Sequence, residues 1–205
     1  MILAIPFLCA AYLLGSIPTG VWVGRLRGVD IRRQGSGNVG ATNVARVVGK
    51  LPGFLVLTVD VAKGWIPVVV LAPMVARLSG SASADQARIL LGVAAVAGHI
   101  WNPFLQFQGG KGVATALGVL WGLDFRVGLG ALAVWGLAAW WSRFVSIASV
   151  SAVVAAPFLM MFLGLPTFWI LGAIGVGLAI VARHRANFLR LLHGEEHRIG
   201  EKKSE

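Results

Sequence analysis

The sequence predicts an all-α integral membrane protein with seven transmembrane helices, the N-terminus outside and the C-terminus cytoplasmic. Three observations predict it. Mean hydropathy is +0.80. Hydrophobic residues make up 57% of the 205 positions and charged residues 13%, where a soluble domain carries about a quarter. The cations gather in alternate connections between apolar runs, as cytoplasmic loops require.

The apolar runs follow in order. Ile2 to Val23 has no Lys or Arg before it and is followed by further membrane-like sequence, so it reads as a span and not a cleaved signal. Leu51 to Ala76 is long enough to cross, although Asp60 and Lys63 lie inside it. Ile89 to Phe107 and Phe144 to Leu163 are near the length of about 20 residues that a bilayer demands, and Thr167 to Ala182 follows them. Val113 to Leu123 and Val127 to Trp141 are short, so they need shelter from other helices or a thinned bilayer. Trp140 and Trp141 read as part of an interfacial belt.

Charge sets the orientation. Arg25, Arg27, Arg32, Arg33, Arg46 and Lys50 face a lone Asp30 in the first connection, the second has Arg77 and Arg88 against Asp85, Lys111 stands alone in the third, the fourth pairs Arg126 with Asp124, Arg143 lies in the fifth, the sixth has no charge, and Arg183, Arg185 and Arg190 open the tail. Residues 1–194 read as one polytopic membrane domain and 195–205 as a polar cytoplasmic tail with frayed ends. The net charge of +10 suits anionic lipid. It does not suggest nucleic acid, since no aromatic-basic platform accompanies it. Cys9 is the single cysteine, so the chain can form no internal disulfide or thiolate metal site, and no metal or cofactor is expected.

Three polar constellations interrupt this apolar background. The first runs from Asp30 to Gly49, where Gly35-Ser36-Gly37, Asn38, Thr42, Asn43 and Arg46 combine backbone N–H groups, hydroxyls and guanidinium forks. That combination suits a phosphorylated ligand. A plain basic turn tied to lipid headgroups would not need Ser36, Thr42 and Asn43. If the chain turns helical there, Asn43 and Arg46 share a face.

The second constellation contains His99, Asn102 and Pro103, followed by Gly109-Gly110-Lys111-Gly112 and Thr115. Glycines admit an anion close to the backbone, Lys111 adds a point charge, and a helix from Val113 offers its free N–H end. The run is not a Walker A loop, because Leu105 stands where its first glycine would be and no Ser or Thr follows Lys111. A glycine turn with a snorkelling lysine is the plainer alternative. His99 is placed to orient this loop.

The third spans Arg183 to Glu196. One continuous helix there would align Arg183, Asn187 and Arg190, with His184 beside Asn187. A positive-inside anchor ending at Gly194 is its plainer alternative. Asp60 and Lys63, three residues apart within an apolar helix, should face the bundle as a structural ion pair.

The segments GSGNVGATNVARVVG, GHIWNPFLQFQGGKGVAT and RHRANFLRLLHGEE resemble the three signature segments of the bacterial membrane glycerol-3-phosphate acyltransferases that use acyl phosphate, the PlsY family. The stretches from Gly15 to Gly20 and from Asp60 to Gly64 resemble that family too, so the likeness covers nearly the whole chain. It implies a seven-helix enzyme of the bacterial inner membrane, with a cytoplasm-facing site that makes lysophosphatidate from acyl phosphate and glycerol 3-phosphate. It implies catalytic roles for Ser36, Arg46, Lys111, His184 and Asn187. It associates Gly109, Gly110, Gly112 and Lys111 with glycerol 3-phosphate, and matches a structural glutamate to Glu196, with Glu195 the neighbouring alternative. Gly37, Asn38, Thr42, Asn43, Thr115, Arg183 and Arg190 complete the expected substrate contacts. Expected partners are the two substrates, membrane lipid and a soluble acyl-phosphate-forming enzyme docked on the basic face.

Acyl phosphate is a mixed anhydride with a good leaving group, so attack by a hydroxyl needs positioning, charge stabilisation and a proton acceptor. The residues leave two acceptors open, His184 and the donor's own phosphate, and the resemblance implies the second. A Ser36 acyl-enzyme is a rival that needs an adjacent base. His99 and His184 are followed four residues beyond the next position by Phe104 and Leu189, so no His-x-x-x-x-Asp dyad exists. A carrier for a phosphorylated solute is the other class of reading, since broken helices also build such sites. It would need binding groups on both faces, and the inferred outward loops hold almost none.

Overall fold

The computed structural model describes residues 4–79 and 84–201. The start of the first run at Ile2 and the tail beyond residue 201 lie outside the described residues. The chain forms two compact units, 1–124 and 125–205.

In the first unit, α1 (Ala4–Gly15) and α2 (Thr19–Leu26) divide the first apolar run. Pro18 causes the interruption, because it has no N–H to donate back into the helix. The expected unbroken helix from Ile2 to Val23 is therefore two helices, and at the break the Ile17 carbonyl takes the Thr19 N–H at 2.9 Å while it and the Ser16 carbonyl also accept from distant side chains. A 3-10 turn at Ile31–Arg33 precedes α3 (Ala41–Val47). Next, α4 (Lys50–Ile66) runs through a π-helical stretch at Pro67–Leu71 into α5 (Ala72–Ser79). Pro67 and Pro73 each remove a backbone donor at this widened turn. The unit is completed by α6 (Ala84–Ile100), a 3-10 turn at Pro103–Leu105 and α7 (Val113–Leu123).

The helices pair α1 with α6 and α4 with α7. Glycines bring each pair close: a Cβ at Gly15 would strike the Ala95 carbonyl, one at Gly98 that of Tyr12, one at Gly64 that of Thr115 and one at Gly118 that of Val61. Such small-residue contacts let helices associate where lipid removes the hydrophobic drive. Val21, Ile31, Val39, Val44, Val56 and Leu105 form a core beneath the first polar loop. With 11 residues, α7 rises only about 16 Å. Thr115, Ala116, Gly118, Val119 and Leu123 are buried in its packing, which gives this short apolar helix the shelter it needs.

In the second unit, α8 (Phe125–Ser142) packs on α9 (Val145–Phe162), and α9 on α10 (Thr167–Arg183), which leads into α11 (Arg185–Leu192). Trp135 Nε1 donates to Ser149 Oγ at 3.3 Å across the α8 and α9 contact. Phe158, Leu171, Leu178, Trp140 and Trp141 are exposed, as a lipid-facing surface permits.

Among the described residues, four helical stretches are long and apolar enough to cross a membrane, or five if α10 and α11 count as one bent span. Arg126 and the tryptophans of α8 lower its hydropathy. The third apolar run ends as a helix at Ile100, not Phe107, because Asn102 and Pro103 start a turn.

Candidate active site

Asn43 organises the first polar loop. It is 1% exposed, and its Oδ1 accepts the Ser36 N–H at 2.8 Å and an Arg46 guanidinium N–H at 3.5 Å. Its Nδ2 donates to the Ile31 carbonyl at 3.1 Å and the Gln34 carbonyl at 3.0 Å. Both amide ends are thereby filled. Asn43, expected among the substrate contacts, braces Ser36 and Arg46 with respect to one another. Gly35 takes φ of +60°, and a Cβ on it would run into Asn43 Oδ1, so the brace itself demands glycine there.

Around this hub, Asn38 Oδ1 accepts the Gly40 N–H at 2.8 Å in a local turn. Thr42 is exposed. Asp30 caps the 3-10 turn through Arg32 N–H at 3.1 Å and pairs with Arg32 Nε at 3.2 Å and Arg33 Nε at 3.5 Å. The hydrogen bonds from Arg32 hold the Asp30 carboxyl below its usual range.

His99 performs the corresponding task in the second constellation. Its carbonyl accepts the Gly110 N–H at 3.1 Å, and the Ile100 carbonyl accepts that of Gly109 at 3.1 Å. Its Nδ1 meets Thr115 Oγ1 at 3.2 Å. A Cβ at Gly109 would overlap the His99 carbonyl and one at Gly110 the His99 imidazole. The two glycines are required by this close approach, which lays the Gly109 to Gly112 loop directly on His99. Lys111, half-buried, projects from that loop just before Gly112, which takes φ of +87° and heads α7. Thr115, expected to touch substrate, is fully buried and supports the imidazole.

The break after α1 is stitched to the same loop. Lys63 Nζ lies 2.6 Å from Asp60 Oδ1 and donates to the Ile17 carbonyl at 2.8 Å. Both side chains are almost completely buried, so each charge depends on the other. Asn102 Nδ2 donates to the Ser16 carbonyl at 2.5 Å, while its Oδ1 accepts the Phe104 N–H at 3.0 Å. Ser16 Oγ donates to the Gly98 carbonyl at 3.0 Å. Asn102 belongs to the second constellation and Ser16 to the Gly15 to Gly20 stretch, and each stands within two residues of a proline that exposes backbone groups.

The second unit holds the third constellation. α10 ends at Arg183 and α11 begins at Arg185, with a bend of 48° between them. The single helix expected across this segment is therefore interrupted at His184, so Arg183 does not continue the stripe of Asn187 and Arg190. His184 is 2% exposed and its Nδ1 lies 2.8 Å from the Ile180 carbonyl. A carbonyl can only accept, so Nδ1 carries a proton in this contact.

Asn187 and Arg190, one turn apart on α11, both bind Glu196. Asn187 Nδ2 donates to Glu196 Oε1 at 2.6 Å and Arg190 Nε to Oε2 at 2.8 Å. Of the two adjacent glutamates, Glu196 is the one turned inward, while Glu195 is exposed. Burial pushes the Glu196 carboxyl up, but the hydrogen bonds from Asn187 and Arg190 outweigh it and hold the group below its usual range. The start of the tail is not frayed: Glu195 N–H bonds the Arg190 carbonyl at 2.7 Å, and Ile199 N–H that of Arg143 at 2.8 Å. Among the described residues, no three His, Cys, Asp or Glu side chains gather to hold a metal ion.

Comparison with known proteins gives a consistent result. Residues 5–194 match the family model described as glycerol-3-phosphate acyltransferase. A glycerol-3-phosphate acyltransferase of Synechococcus sp. (strain JA-3-3Ab) is 47% identical over 192 residues, covering 93% of this chain and 91% of that protein. One from Aquifex aeolicus (strain VF5) is 44% identical over 189 residues, covering 92% and 95%. The crystal structure of PlsY, an integral membrane glycerol 3-phosphate acyltransferase, in its glycerol 3-phosphate form superposes with a TM-score of 0.87 at 43% identity, covering 96% of each chain. Its lysophosphatidic acid form gives 0.85, also at 43% identity, covering 96% and 95%.

Proposed function

The chain belongs to the glycerol-3-phosphate acyltransferase family, and from that premise we propose that it moves a fatty acyl group from acyl phosphate to a hydroxyl of glycerol 3-phosphate, for phospholipid synthesis. The similar PlsY structures in glycerol 3-phosphate and lysophosphatidic acid forms support this acceptor and this product. The observation that carries the reading is a repeated arrangement. Beneath each anion-suited cluster sits a buried polar side chain that fixes it: Asn43 under Ser36 and Arg46, His99 under Gly109 to Lys111, and Glu196 against Asn187 and Arg190. Such preorganised donors stabilise developing charge without reorganising during the reaction.

In the proposed step the glycerol hydroxyl attacks the acyl carbonyl directly, an ester C–O bond forms, and the bond from carbonyl carbon to phosphate oxygen breaks. The departing phosphate takes the hydroxyl proton. Arg46 and Lys111 neutralise substrate phosphate, Ser36 and Asn187 hydrogen-bond the reacting groups, and His184, held by the Ile180 carbonyl, presents Nε2 as a fixed partner. Gly37, Gly112, Arg183 and the exposed Thr42 serve substrate contact around these groups.

The same proposal sets the protein in the bacterial inner membrane with seven crossings, the N-terminus outside and the polar loops in the cytoplasm. The six cations of the first connection and the arginines that open the tail support that orientation, and the basic face can receive a soluble acyl-phosphate-forming enzyme.

Phosphate release from palmitoyl phosphate by the purified protein in lipid, with and without glycerol 3-phosphate, tests the reading. Release that requires glycerol 3-phosphate, equals lysophosphatidate by mass and disappears in Arg46→Ala is expected. A folded protein that binds glycerol 3-phosphate without turnover overturns the reading in favour of a carrier.

A further inference from the structure

The second unit contains a contact that the reaction scheme does not use. α8 and α9 are joined by only Arg143 and Phe144, and both are engaged by the C-terminal segment. The Arg143 carbonyl accepts the Ile199 N–H at 2.8 Å, and its guanidinium donates back to the Ile199 carbonyl at 3.2 Å. One residue thus satisfies both main-chain groups of Ile199. The neighbouring Arg198 guanidinium lies over the Phe144 ring, 5.6 Å from its centroid. Consecutive tail residues therefore meet consecutive connection residues, which fixes the register of the contact.

Arg143 adopts φ of +62°, a conformation that non-glycine residues rarely take. The turn is maintained with its carbonyl on the tail. On the other side of Glu196, the chain reverses at Gly194, φ +74°, and Glu195 N–H bonds the Arg190 carbonyl at 2.7 Å. Glu196 is anchored from both directions, and its carboxylate takes the Asn187 amide at 2.6 Å and Arg190 Nε at 2.8 Å.

We infer that residues 197–200 form a positioning strap, in which Arg143 and Ile199 hold Glu196 so that it aims the Asn187 amide for acyl transfer. The inference rests on the acyltransferase reading, which gives Asn187 its part in the reaction. Arg143, Arg198 and Ile199 act only through Glu196 and touch neither substrate. A polar tail with no such task would need neither the two-way bond to Ile199 nor a left-handed arginine.

Ile199→Pro removes the one N–H that reaches Arg143. In the intact protein in lipid, it is expected to lower kcat about fivefold to tenfold, the effect of one lost hydrogen bond, with KM for acyl phosphate unchanged. In a Glu196→Ala background the same change should have no further effect, because the group it positions is gone. Arg143→Ala should reproduce the loss and Arg143→Lys, which keeps a donor for the Ile199 carbonyl, should recover most of it. This pair carries the test if the proline variant does not fold. Full activity in both Ile199→Pro and Arg143→Ala, or an equal loss with and without Glu196, overturns the strap. Absence of lysophosphatidate from the unchanged protein overturns the acyltransferase reading and the strap with it, whereas failure of the strap alone leaves wild-type turnover intact.

Discussion

Asn43 Oδ1 accepts the backbone N–H of Ser36 at 2.8 Å across seven residues of chain. The same amide holds the Ile31 and Gln34 carbonyls from its other end, so the position of Ser36 depends on a side chain with no solvent access.

Asn43→Ala should leave the buried Ile31 carbonyl unpaired, at a cost of about 1 to 3 kcal/mol, and release the partly buried Ser36 N–H and Gln34 carbonyl. Asn43→Asp should fare no better, since it loses the two N–H donors and sets a carboxylate against two carbonyls. Both variants are expected to melt at lower temperature in detergent and to form lysophosphatidate about a hundredfold more slowly, if the loop supplies preorganised charge stabilisation. Wild-type melting in Asn43→Ala would contradict the brace.

Gly110→Ala places a methyl group in the space of the His99 imidazole. The loop must then lift off His99, displacing Lys111. Expected is a loss of glycerol 3-phosphate binding, measured by calorimetry on the purified protein. Thr115→Val, which removes only the partner of His99 Nδ1, should have the weaker effect in the same direction, and the reverse order would argue against loop displacement.

Lys63→Met leaves Asp60 buried and unpaired and should destabilise the fold by about 3 to 5 kcal/mol. The double variant Lys63→Met with Asp60→Leu should regain much of that, because no isolated charge remains. Recovery is expected to be incomplete, since Lys63 also holds the Ile17 carbonyl at the helix break. Thermal unfolding of the three proteins distinguishes these contributions, and a double variant no more stable than the single one would refute the pairing argument.

Glu196 is held below its ordinary value of 4.5 by the donors from Asn187 and Arg190, against the opposing effect of burial. A depressed carboxyl contributes stability that is complete above the unfolded-state value and is lost as the pH falls through the folded one. Between neutrality and about pH 5 this contribution should therefore be constant, with loss only at more acid pH. Glu196→Gln should be less stable at neutral pH and lack that acid-dependent component. An identical pH profile of unfolding in the two proteins would assign the acid loss elsewhere.

The residues alone determined the all-helical membrane character, the family and the three polar segments, because hydropathy and motif spacing are local properties of the chain. The Asp60 and Lys63 pairing was equally legible: two opposite charges three residues apart in an apolar helix have nowhere cheaper to go. Tertiary structure decided the rest. Pro18 and His184 break helices that apolar periodicity alone would continue, and at the Pro18 break the Ile17 and Ser16 carbonyls find Lys63 and Asn102 far along the chain. Asn43, Thr115 and Arg190 have the residue types of ligand contacts, and only the fold shows that Asn43 also braces a loop, Thr115 an imidazole and Arg190 Nε a glutamate. Ile199 and Arg143, 56 residues apart, contain no pattern that could pair them in advance. A hydrogen bond between distant segments is specified by where the packed helices bring their ends, and a linear sequence records the donors and acceptors without their directions.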